Sequence, residues 1–173
     1  ELAAGSLLLT MVHATGYPLF LLLGKIFSFI IPVGSPGFRV NLVSIIAGAL
    51  TVMLVYRIIF RWTCDRRASV VGALALAFAH SFWREAIQAE VYTLNTFFLA
   101  ALIHSIQTWE RRPADLRPLA LFFFLYGLGL TNHISLFLYF PAFALLLISI
   151  GSGPFRPPRR IILWGFLTAM GLT

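Results

Sequence analysis

Charge is scarce in this chain, and negative charge is scarcest. Among 173 residues there are six Asp and Glu against thirteen Lys and Arg, and charged residues make up only 11%. A soluble domain carries about a quarter. Cysteine occurs once, at Cys64, which excludes an intrachain disulfide framework. The four histidines, His13, His80, His104 and His133, have no ligand spacing, so no metal set is legible and metal dependence is left open. The chain lacks a Walker glycine loop, a Rossmann glycine pattern and a Ser-His-Asp arrangement. It has no internal repeats.

What it has is apolar surface and arginine in blocks. Sixty per cent of the residues are hydrophobic, and ten of the thirteen basic residues fall in three gaps between apolar runs. Arg57, Arg61, Arg66 and Arg67 form the first block. Arg111, Arg112 and Arg117 form the second, and Arg156, Arg159 and Arg160 the third. Every second connection is therefore basic, the positive-inside pattern of a chain crossing a bilayer several times. The net charge of +7 does not point to nucleic acid, because it sits in juxtamembrane blocks that meet lipid head groups.

The expected fold is an all-α, polytopic transmembrane bundle, since an open chain in lipid must satisfy its backbone internally. Spans are expected near 40–60, 68–82, 95–108, 119–130, 134–150 and 161–173. Both ends of the stretch from Ala68 to Trp109 abut arginines on one side, so the chain must reverse between His80 and Asn95. Residues 1–37 are read as an extracytoplasmic loop with juxtamembrane helices, and 38–173 as the bundle. Within the first part, 17–31 is apolar but carries Lys25, which is costly at mid-membrane, so a surface position is favoured over a span. The chain opens on Glu1 and closes inside an apolar run, so a fragment of a longer protein is expected.

The side opposite the arginine blocks collects the candidate chemistry: Glu1, His13, Tyr17, Arg39, Arg84, Glu85, Gln88, Glu90, Tyr92, Asn95, Asn132 and His133. Only Lys25, Arg39 and Arg84 are basic there. They are candidates for gripping an anion such as a lipid phosphate, or they pair locally and snorkel. On a helical projection Arg84, Gln88, Tyr92 and Asn95 share a face, whereas Glu90 falls among Trp83, Ile87 and Leu94. A carboxylate on an apolar stripe is expensive. Either Glu90 faces a polar cavity or the helix breaks before it. A desolvated carboxylate is a candidate general base.

The series His13-x-x-Gly16-Tyr17-Pro18-Leu19-Phe20-x-x-Leu23-Gly24-Lys25, then Arg39-Val40-Asn41-Leu42-x-Ser44, then Phe82-Trp83-x-x-Ala86-x-x-Ala89-Glu90-Val91-Tyr92-x-Leu94-Asn95, then Gly127-Leu128-x-Leu130-Thr131-Asn132-His133 resembles a polytopic bacterial family long described only as a domain of unknown function. Its animal relatives are transmembrane O-mannosyltransferases acting on IPT domains. The resemblance implies a GT-C fold and transfer of a sugar from a polyprenyl-phosphate donor to an acceptor hydroxyl of an exported protein or glycan, in a bacterial inner membrane. It implies no cofactor beyond the lipid-linked sugar. The family's first outer loop carries an acidic Asp-x-Gly-Glu motif, whose last position Glu1 matches. Ala14 and Thr15 stand where the family has two prolines. Glu1 and Glu90 are thus the expected catalytic carboxylates, with His13, Tyr17, Arg39, Arg84, Gln88, Tyr92, Asn132 and His133 as substrate-binding residues. Rival readings are a transporter or lipid flippase, which should carry mid-span ionisable groups and broken helices in paired halves, and a non-catalytic membrane subunit.

Overall fold

Proline and small polar residues punctuate an otherwise apolar chain, and the helices start where they stand. The computed structural model describes residues 2–9 and 17–150, all of whose regular structure is helical. Helix α1 (Leu2–Leu8) is followed by α2 (Pro18–Ile30) and α3 (Pro36–Thr63). Both α2 and α3 carry proline in the first turn, where its missing N–H costs nothing. Ser35 caps α3 by accepting from the Phe38 N–H, and Cys64 ends it in the left-handed region at φ 54°. Asp65 at once caps α4 (Arg66–Ala77) through the Arg67 and Ala68 N–H groups. Then come α5 (His80–Ala86), α6 (Val91–Arg111), α7 (Arg117–Asn132), a 3₁₀ helix (Ile134–Tyr139) and α8 (Phe140–Ile150).

The 28 residues of α3 rise about 42 Å, more than the hydrocarbon layer. Among the described residues α3 is the one helix long and apolar enough to cross a membrane by itself, and α5 with α6 meets that test only as a pair bent by 112°. The bend falls inside the expected reversal between His80 and Asn95. The expected run 68–82 is corrected: α4 stops at Ala77. The Phe78 and Ala79 N–H groups close its last turn on Leu74 and Leu76, and α5 begins anew. The expected run 134–150 is likewise divided, its first six residues wound as 3₁₀. The expected span 161–173 lies outside the described residues.

Helix α3 is the spine, packing on α6, α4 and α2, while α7 covers the other side of α6. One core runs through Phe20, Val40, Leu102, Trp109, Phe122, Tyr126 and Leu147, all essentially buried. Gly48 on α3 is where α5 and α6 come closest: a Cβ there would stand 3.2 Å from Ala86 Cβ and 3.3 Å from Thr93 Cγ2. Much apolar surface stays uncovered, including Phe29 at 89% and Leu138 at 78% exposure. Exposure on this scale marks a surface made for lipid or for further protein.

Candidate active site at the α5–α6 elbow

A helix that bends by 112° must release the backbone groups at its corner, and buried groups of that kind need partners. Here the partners come from two other helices. Asn41 and Ser44 lie three residues apart on α3 and therefore on one face. Asn41 Nδ2 donates to the Ile87 carbonyl at 2.7 Å. Ser44 Oγ donates to the Glu90 carbonyl at 3.0 Å and lies 3.2 Å from the Glu90 N–H, which also reaches the Gln88 carbonyl at 2.9 Å. Ser44 is fully buried. From the opposite side Asn132, 1% exposed at the end of α7, donates through Nδ2 to the Val91 carbonyl at 3.2 Å. The elbow is thus held between α3 and α7.

The continuous helical projection through 81–95 is corrected by this break. Glu90 stands at the head of α6 in extended backbone (φ −132°, ψ 147°), and its side chain does not cap the helix. Of the two alternatives posed by its apolar neighbours, the helix break is the one found. A carboxylate at that position sits at the positive end of the α6 dipole. Gln88 is exposed in the turn.

Three expected site residues meet next to the elbow. The His133 ring stacks on Tyr17 with centroids 5.5 Å apart and planes 9° apart, and it meets Tyr92 at 5.7 Å and 48°. Tyr17 precedes α2 in the left-handed region at φ 43°, an unusual conformation for a bulky residue. His133 Nδ1 accepts the Ser135 N–H at 3.1 Å and lies 2.8 Å from Ser135 Oγ, which in turn accepts from Asn95 Nδ2 at 3.2 Å. With Nδ1 occupied as an acceptor, the neutral ring carries its proton on Nε2 and presents that edge as a donor. Tyr92 is two residues beyond Glu90, and His133 adjoins the Asn132 that grips Val91. The carboxylate and the imidazole are therefore tied to one corner of the fold.

The three cations expected on the side opposite the arginine blocks are each engaged. Arg39 gives Nε to Gly34, Nη1 to Ser28 and Nη2 to Pro32, all at 3.2 Å, clamping the carbonyls of the α2–α3 turn. Lys25 Nζ donates to the Leu7 carbonyl of α1 at 2.6 Å. Arg84 pairs with Glu85 at 2.8 Å, the two side chains 59% and 23% exposed. Neither Arg39 nor Arg84 joins the His133 cluster through any of these bonds. Glu1 and His13 lie outside the described residues. Among those described, no group of three His, Cys, Asp or Glu could hold a metal ion. Sequence reasoning passed over Ser135 and over the grip of Ser44 on the elbow. The Asn41-x-x-Ser44 spacing was the one visible signal. Beside the elbow, along the side of α3 that carries Gly48, runs an apolar groove of about 400 Å³, with Gly48, Ala49 and Ala77 among its small residues and Phe82, Trp83 and Ile87 among its large ones.

The family model described as the protein O-mannosyl-transferase TMEM260 N-terminal domain matches residues 1–152. The mouse protein O-mannosyl-transferase TMEM260 is 31% identical over 142 residues, which is 80% of this chain and 20% of the mouse protein. The Dictyostelium discoideum protein of the same name is 31% identical over 104 residues, 59% of this chain and 13% of its own length. The chain thus spans a fifth or less of the curated relatives it matches. No solved structure matches it.

Proposed function

This chain belongs to the family of protein O-mannosyl-transferase TMEM260 N-terminal domains, and from that premise we propose that it forms part of the active site of a membrane O-mannosyltransferase of GT-C type. The donor is a polyprenyl-phosphate sugar. The acceptor is a hydroxyl on an exported protein, approaching on the extracytoplasmic side, in a multi-pass protein of a bacterial inner membrane.

In this reading Glu90 is the general base. It takes the acceptor hydroxyl's proton as that oxygen attacks the anomeric carbon, and the bond from that carbon to the phosphate oxygen breaks. The lipid phosphate leaves with the electron pair. His133, donating from Nε2, stabilises the charge that gathers on the departing phosphate. Tyr17 and Tyr92 hold the imidazole, and their rings offer faces for a sugar. The apolar groove beside the elbow takes the isoprenoid chain. Glu1 and His13 contribute through the outer loop, while Arg39 and Arg84 act mainly by anchoring the turns around the site. Catalysis of this kind is mostly positioning.

One observation carries the reading: the bonds from Asn41, Ser44 and Asn132 fix the corner bearing Glu90, and Tyr92, two residues on, meets the His133 ring. The test is Glu90→Gln in the full-length protein. Mannosyl transfer to an acceptor domain is expected to disappear while expression and thermal unfolding stay unchanged. Undiminished transfer removes Glu90 from the mechanism. Adding and chelating divalent metal in the same assay decides metal dependence.

A further inference from the structure

The opposite end of the α3–α6 pair carries positive charge that no acid among the described residues pairs with. Arg61, in the last turn of α3, donates from Nη1 to the His104 carbonyl at 3.3 Å and to Thr108 Oγ1, both on α6. Arg111 of α6 returns the contact, giving Nη2 to the Arg61 carbonyl at 2.6 Å. Gln107 adds a fourth link to the Ile58 carbonyl at 3.3 Å. These bonds hold two guanidinium groups in place before any ligand arrives. Arg57, one turn earlier on α3, has no hydrogen bond or ion pair among the described residues. The charges of Arg57 and Arg111 both act on Arg61.

The acids nearby are committed elsewhere or stand apart. Asp65 caps α4, and Asp115 accepts the Arg117 N–H ahead of α7. The one ion pair among the described residues is Arg84–Glu85, so Glu110 makes no ion pair with any of the three arginines. Like charges gathered this closely repel one another, and an anion that met them together would gain from all three. Arginine suits a phosphate because its planar fork matches the oxygens.

We propose that Arg57, Arg61 and Arg111 form a site for the phosphate of an anionic phospholipid. The lipid, rather than free phosphate, is favoured by what surrounds the cluster. It lies at the end of the helix long enough to span a membrane, where head groups sit. Trp62, 69% exposed, and Phe60, stacked on Tyr56 at 6.2 Å, project from the same turns. Aromatic rings beside arginines at a helix end mark the interfacial layer. This site is separate from the elbow and does not depend on the transfer reaction.

The test uses the full-length protein in detergent, with retained lipid counted by native mass spectrometry. Phosphatidylglycerol is expected to remain bound where phosphatidylcholine is lost. Arg57→Gln should weaken phosphatidylglycerol retention about fivefold, the effect of one arginine near a charged surface. Its unfolding temperature in phosphatidylcholine should not change, because Arg57 makes no bond to lose among the described residues. Arg117→Gln, of equal charge outside the cluster, should retain lipid like the wild type. Equal losses in the two variants would reduce the cluster to general surface charge and overturn the proposal. So would displacement of phosphatidylglycerol by equimolar glycerol phosphate, which would show that phosphate alone suffices.

Discussion

Ser44→Ala removes one oxygen from the fully buried seat of the elbow and changes almost no volume. The Glu90 N–H keeps the Gln88 carbonyl as a partner, but the Glu90 carbonyl loses the hydroxyl that reached it at 3.0 Å. Losing one hydrogen bond at a buried seat costs about 1 kcal/mol. Thermal unfolding of the full-length protein, followed by its tryptophan fluorescence, should register that loss as a lower midpoint. The consequence for function should exceed the consequence for stability. Displacing a reacting group by about 1 Å can lower turnover roughly a hundredfold, and the Glu90 backbone is what Ser44 holds. Mannosyl transfer should therefore fall in kcat, with KM for the acceptor little changed. A variant that unfolds at the wild-type temperature and transfers at the wild-type rate would refute the claim that Ser44 holds the corner. A variant that loses stability but keeps kcat would separate the elbow from the chemistry.

Other substitutions test neighbouring parts of the argument. Gly129→Ala puts a Cβ 2.6 Å from Leu136 Cδ2 and 3.1 Å from Phe98 Cγ, so it should destabilise by about 1–3 kcal/mol through overpacking, read as a lower unfolding midpoint. Arg39→Gln withdraws donors from three carbonyls of the α2–α3 turn. It should lower stability by about 1–2 kcal/mol and leave donor KM unchanged, whereas a rise in donor KM at constant stability would return Arg39 to the role of anion grip. Tyr17→Gly relieves the left-handed backbone at φ 43° but deletes the ring on His133. Transfer should fall even if the protein becomes more stable, and unaltered kinetics would dismiss the stacked pair.

Local signals made the helices legible. Pro18, Pro36 and Pro118 each stand in the first turn of a helix, and the Asn132-His133 turn ends the last of these. The reversal between His80 and Asn95 followed from arginines at both ends of the stretch, and the elbow is there. The break after Ala77 was not legible, because Val70 to Ala79 is apolar throughout and contains no proline. Nor did the projection through 81–95 survive, since a periodicity drawn on a straight helix cannot anticipate its bending.

By itself the sequence determined the run of helices and the types of residue available for chemistry, because capping, proline geometry and apolar periodicity act over a few residues. Only the tertiary structure decided which of those residues meet. Asn41 lies 46 positions from Ile87, Ser44 46 from Glu90, and Asn132 41 from Val91. Tyr17 and His133 come from opposite ends of the described chain. Such pairings arise from the crossing of α3, α6 and α7, where buried backbone groups at a bend take whichever polar side chain the packing brings within reach.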